Sequence, residues 1–106
     1  MGLEREPDSI EEVDDEVQDD PEEPPLYRVL LHNDDYTTMQ FVVEVLMVVF
    51  NKSMEEATLI MLNVHKQGVG LCGIYPFEIA ETKVDTVDTL ARENGFPLRC
   101  TMERES

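Results

Sequence analysis

From residue 26 onward the apolar positions fall into blocks whose spacing changes along the chain. LYRVLLH (26–32) is short, apolar and partly β-branched, which reads as a strand. NDDYT follows as a polar loop. Thr37 and Gln40 have the form of a capping box, in which hydroxyl and amide each serve the N–H beside the other. That cap introduces MQFVVEVLMVVF (39–50), whose valines favour a strand on propensity. Length and cap favour a helix closed by Asn51.

Ser53 and Glu56 repeat the capping signal more clearly. Ala57, Ile60, Met61 and Val64 then recur at helical spacing, and Gly68 ends that helix. VGLCGIY (69–75) reads as a strand loosened by Gly70 and Gly73. Pro76 suits the first turn of a third helix. Ile79, Ala80, Val84, Val87 and Ala91 supply its apolar face, and Gly95 stops it. LRCTME (98–103) is the last strand. The order β-α-α-β-α-β predicts an α+β fold, with three helices packed on a small three-stranded, mainly antiparallel sheet.

Charge divides the 106 residues into two parts. Residues 1–25 hold twelve of the 24 acids and one base, Arg5, together with Pro7, Pro21, Pro24 and Pro25 and no aromatic residue. Such a stretch cannot bury enough apolar area to offset its ordering entropy, so it is expected to be a disordered acidic extension. Residues 26–106 then form one domain, small but within the range that folds without staples. The net charge of −16 excludes an electrostatic attraction to nucleic acid or to an anionic membrane, and favours cationic partners. No secretory signal is expected at the start, and Glu44 and Lys52 interrupt the longest apolar run well short of a membrane span. Cys72 and Cys100 form no CxxC, which suits buried thiols in a cytoplasmic protein.

The chemistry-bearing residues are few. His32, Asp34, Asp35 and His65 are the conceivable metal ligands, but the loop lacks the alternating oxygens, central glycine and twelfth-position glutamate of an EF-hand, and no HExxH or paired CxxC occurs. No GxSxG or phosphate-binding glycine loop is present, so catalysis has no support and no cofactor is expected. In its plainest reading Asn33-Asp34-Asp35 is a polar turn that places negative charge at a helix N-terminus, worth about 0.3–1 kcal/mol.

YRVLLHNDDYTTMQFVVEVL, LIMLNVHKQGVGLCGIYPFEIAETKV and ARENGFPLRCTME closely resemble ClpS, the adaptor family that delivers N-degron substrates to the Clp unfoldase–protease. The likeness covers about residues 26–106. It implies a non-enzymatic adaptor that binds the free α-amine and the bulky first side chain (Leu, Phe, Tyr or Trp) of a substrate. By that match Asn33, Asp35 and His65 would accept hydrogen bonds from the α-ammonium, His65 as an unprotonated ring nitrogen. Asp34 would add negative potential or orient the loop. The apolar wall would come from Leu31, Thr37, Met39, Val42, Met61, Val64 and Leu98, with Met39 as a gate against β-branched residues. Glu78 and Lys83 would contact the N-terminal domain of a ClpA or ClpC-type unfoldase. Ribosomal stalk C-terminal domains share the element order, yet would have no need of Asn33, Asp35 and His65. Thr38 stands where the family often has proline, which is expected to leave the loop less rigid, and His32 stands where an apolar residue is common.

Overall fold

The computed structural model describes residues 23–106. Most of the acidic extension expected over 1–25 therefore lies outside the described residues. The elements are β1 (Leu26–His32), α1 (Met39–Val48), α2 (Met54–Gln67), β2 (Val69–Pro76), α3 (Phe77–Glu93) and β3 (Arg99–Arg104), in the order read from the sequence.

β1 lies in the centre of the sheet, with β2 on one side and β3 on the other, both antiparallel to it. The register runs from Leu26 opposite Pro76 to His32 opposite Val69, and from Tyr27 opposite Arg104 to His32 opposite Arg99. Between Val29 and Leu30 it slips by one residue, leaving Cys72 as the extra residue of a bulge on β2. Val29 and Leu31, two apart and therefore on one face of the pleat, are fully buried beneath the helices.

The valine-rich segment is helical because of what it covers. Phe41, Val42, Val45 and Leu46 are all buried, and this packing outweighs the segment's strand propensity. Two details of the sequence reading are corrected at its ends. The cap is Thr38, whose hydroxyl accepts from the Phe41 N–H at 3.1 Å, because the Thr37 hydroxyl instead donates to Asp34. The helix also stops at Val48, and Asn51 takes a left-handed φ of 57° in the turn beyond.

α2 starts with the complete Ser53–Glu56 capping box and ends on Gly68 at φ 87°, where glycine carries no Cβ penalty. Pro76 is the cap residue of α3 rather than part of its first turn. The stripe that α3 buries is Ala80, Val84, Val87 and Ala91, at spacings of four, three and four. Ile79, expected on that face, lies about 100° round the helix from Ala80 and is 48% exposed. Together the helices and sheet enclose one core that runs from Phe41 and Leu46 through Ala57 and Val64 to Cys72, Val87 and Leu98.

Candidate functional site

The loop between β1 and α1 is held by one side chain. Asp34 Oδ1 accepts from the backbone N–H groups of Tyr36 (2.8 Å) and Thr37 (2.7 Å), and Oδ2 accepts from the Thr37 hydroxyl (2.7 Å). Burial, the largest single influence, pushes the Asp34 pKa up. The three hydrogen bonds together outweigh it and leave the carboxyl below its ordinary value. Asp34 is therefore turned into its own loop, while Asp35 and Asn33 remain exposed.

A second tie sets the loop against α2. The Asn33 N–H donates to the Gly68 carbonyl at 2.9 Å, joining the first loop residue to the left-handed end of the helix that carries His65. Gly70, the next residue but one, is buried against that helix, and a Cβ there would stand 2.6 Å from Val64 Cγ2. Only glycine lets β2 and α2 approach this closely.

These ties enclose a pocket of about 250 Å³ lined by nine residues. Asn33, Asp34, Asp35 and His65 provide its polar side, and Thr37, Met39, Val42, Met61 and Val64 the rest. Met61 and His65, one helical turn apart, share a face of α2, so one helix presents both an apolar side chain and an imidazole to the pocket. Val42 and Val64 are buried, whereas Met39 is 47% exposed at the mouth. Leu31 and Leu98 do not line this pocket; they are 0% and 4% exposed within the core.

The remaining candidates lie elsewhere. His32 faces Thr101, with 2.7 Å between Nε2 and Oγ1, on the strands and away from the pocket. Burial lowers its pKa, as does Arg99, against a smaller upward pull from Glu103. Among the described residues no group of three or more His, Cys, Asp or Glu side chains could hold a metal ion. Burial pushes the Cys100 thiol up to about 12 and Cys72 higher still, which leaves neither as a nucleophile. Glu78 is exposed in the first turn of α3, in a shallow hollow with Pro24, Pro25, Pro76, Phe77 and Ile79. Lys83 is half-buried. Its ammonium donates to the Val49 carbonyl at 2.7 Å and lies 5.7 Å and 5.2 Å from the ring centroids of Phe50 and Tyr75.

Residues 22–101 match the family described as ATP-dependent Clp protease adaptor protein ClpS. The chain belongs to the ClpS family. It is 68% identical to the ATP-dependent Clp protease adapter protein ClpS of Desulforapulum autotrophicum over 82 residues, which is 77% of this chain and 79% of that relative. It is 61% identical to the ClpS of Nitratidesulfovibrio vulgaris over 87 residues, or 82% and 84% of the two chains. The structure of Agrobacterium tumefaciens ClpS2 bound to L-phenylalaninamide superimposes with a TM-score of 0.76 at 41% identity, covering 78% of this chain and all of that one. ClpS proteins are non-catalytic adaptors that deliver N-degron substrates to the Clp protease, and the three helices on an antiparallel sheet found here are the ClpS fold.

All nine pocket residues were among the candidates that the family resemblance implied. The supports were not: the Gly68 carbonyl, Gly70 and the Thr38 cap carry no chemical signature of a site.

Proposed function

We propose that the pocket receives the first residue of an N-degron: Asn33, Asp35 and His65 accept hydrogen bonds from its α-ammonium, and Met39, Val42, Met61 and Val64 surround its side chain. One observation carries this reading. Electron-rich atoms and an apolar hollow share a single 250 Å³ pocket. An apolar cavity of about 150 Å³ holds a benzene ring, so there is space for the side chain of Phe, Tyr, Trp or Leu with the amine at the mouth. The L-phenylalaninamide bound to the Agrobacterium ClpS2 is a molecule of the same kind, with a free α-amine beside an aromatic side chain and no carboxylate.

Magnitudes require both halves of the site. Burying a Leu or Phe side chain contributes about 1.5–3 kcal/mol. A charge-assisted hydrogen bond adds about 1.5–3 kcal/mol at best. Association costs at least about 4 kcal/mol. Neither half clears that cost comfortably alone, so a small first residue or a blocked amine should fail. Met39 gates the mouth against β-branched side chains, and two thioethers let the wall fit flat and branched guests alike. Asp34 orients the loop.

Delivery engages a second surface, at Glu78 and Lys83, with the N-terminal domain of a ClpA or ClpC-type unfoldase as partner and the cytoplasm as the setting. The exposed apolar residues around Glu78 support the docking. The extension of residues 1–25, fully stretched, spans roughly 80–90 Å at about 3.3–3.6 Å per residue, enough to reach an unfoldase pore.

The test is a titration of labelled peptides beginning with Leu or Phe against N-acetylated copies. Binding is expected for the free amines alone; equal affinity for the acetylated copies overturns the assignment.

A further inference from the structure

The pocket's methionine wall has a second side. Met39 and Met61 also line a groove of about 340 Å³ between α1 and α2, completed by Val43, Met47 and Met54, with Gln40 and Glu44 as its polar residues. Met39, Val43 and Met47 are spaced by four and so share one face of α1, while Met54 and Met61, seven apart, share one face of α2. Four thioethers thus converge on one surface, and Met54 is 63% exposed there. None of the groove residues belongs to the 33–37 loop that holds the amine acceptors.

We infer that this groove is a second substrate subsite, which takes an apolar side chain from the residue at position 2 or 3 of an N-degron whose first residue fills the pocket. The inference rests on the reading of the pocket given above. Continuity identifies the occupant, because groove and pocket are two sides of one wall, Met39 and Met61. The ammonium is received on the loop side, and the carbonyl leaves the first Cα in a different direction. Successive Cα atoms are about 3.8 Å apart, so the next one or two residues remain within reach of a groove that shares the pocket's wall.

The chemistry of the lining sets the preference. Thioethers are flexible and polarisable, so the groove accepts many apolar shapes in place of a single one. Selection there is graded, unlike that at the first residue. Burying part of a leucine-sized side chain corresponds to roughly three- to tenfold in affinity.

The experiment uses the full chain and four labelled peptides. All begin with phenylalanine and carry leucine or serine at position 2, or leucine or serine at position 3 with glycine at position 2. In the wild-type protein leucine is expected to bind roughly three- to tenfold more tightly than serine at one of the two positions. Met54→Gln, on the exposed surface of α2, and Met47→Gln, partly buried at the edge of the core, are expected to remove that preference while leaving the serine peptides' affinity unchanged, with thermal melts confirming that each variant is folded. Equal affinity for leucine and serine at both positions overturns the subsite. So does a preference that survives both substitutions. A concentration-dependent dimer, dissolved by Met47→Gln and with no preference among the peptides, would assign the groove to a second copy of the chain and overturn it as well. An N-acetylated copy of the best peptide separates the two readings. If it binds as well as the free amine, the pocket assignment fails; if only free amines bind but no downstream preference exists, the subsite alone fails.

Discussion

Asp34 gives the sharpest test of how the loop works, because its geometry and its charge can be separated. Oδ1 takes two backbone N–H groups and Oδ2 takes the Thr37 hydroxyl, all within 2.7–2.8 Å. Asp34→Ala removes all three bonds. Bonds to a charged acceptor contribute about 1.5–3 kcal/mol each where water is excluded. This loop is open to solvent, and water takes over most of that, so the net loss is about 1–2 kcal/mol. Expressed wholly in binding, this is roughly a 5–30-fold weaker affinity. Asp34→Asn keeps Oδ1 for both N–H groups and presents an amide that can donate to the threonine oxygen, so it preserves the turn and deletes the charge.

The assay is fluorescence anisotropy with a phenylalanine-initiated peptide, beside thermal melts of each variant. The Ala variant should weaken strongly and the Asn variant only slightly. If Asn is as weak as Ala, Asp34 acts through charge; if Ala binds like wild type, the loop does not depend on Asp34 at all. Either result refutes the argument. The pH dependence follows from the same bonds. A carboxyl whose pKa is lowered by folding stabilises the native loop above its unfolded value, near 3.8, and that contribution is lost as pH falls through the lower folded value. Asp34's contribution is therefore expected to stay constant from neutrality down to about pH 5 and to fade only in stronger acid.

Two further substitutions probe the supports. Gly70→Ala would press a methyl group against Val64, a β-branched side chain with little rotamer freedom, which is at once core and pocket wall. A loss of about 1–3 kcal/mol in denaturant unfolding is expected, with weaker peptide binding in the fraction that remains folded; a variant with wild-type stability would show that the close approach is unimportant. Lys83→Met keeps the apolar stem but deletes the bond to the Val49 carbonyl, and should lower stability by about 1 kcal/mol. An unchanged melting temperature would show that the lysine is free to serve a partner alone.

How far the sequence could be read depended on whether a signal was local. Element order, the Ser53–Glu56 box and the Gly68 stop are short-range features, and they appear where the pattern put them. The cap was read as Thr37, although the hydroxyl of the neighbouring Thr38 can serve a helix N–H three residues on equally well. Asp34 settles the matter by occupying the Thr37 hydroxyl, a competition visible only once the loop is closed. Leu31 and Leu98 illustrate a similar limit. The pleat of β1 turns Leu31 inward beside Val29, but inward-facing does not specify whether a side chain meets a ligand or other core residues. Ile79 failed for a simpler reason: a stripe of small residues, Ala80 and Ala91, marks the closely packed face, and the larger isoleucine lies beside it.

The departure at Thr38 shows how one backbone requirement can be met by two chemistries. Met39 must enter the helix at the lip of the pocket, so the residue before it has to be fixed. Proline would do this through its ring, which holds φ near −65°. Thr38 has φ −72° and ψ 151°, a conformation proline also adopts, and holds it through the bond from the Phe41 N–H to its hydroxyl. The ring acts mainly by restricting the unfolded chain, worth about 0.4–1 kcal/mol. The cap acts in the folded state, worth about 1 kcal/mol. Because the two are of similar size, threonine here need not loosen the loop. The rigidity that a proline ring would supply returns as a hydrogen bond, with Asp34 fixing Tyr36 and Thr37 just upstream.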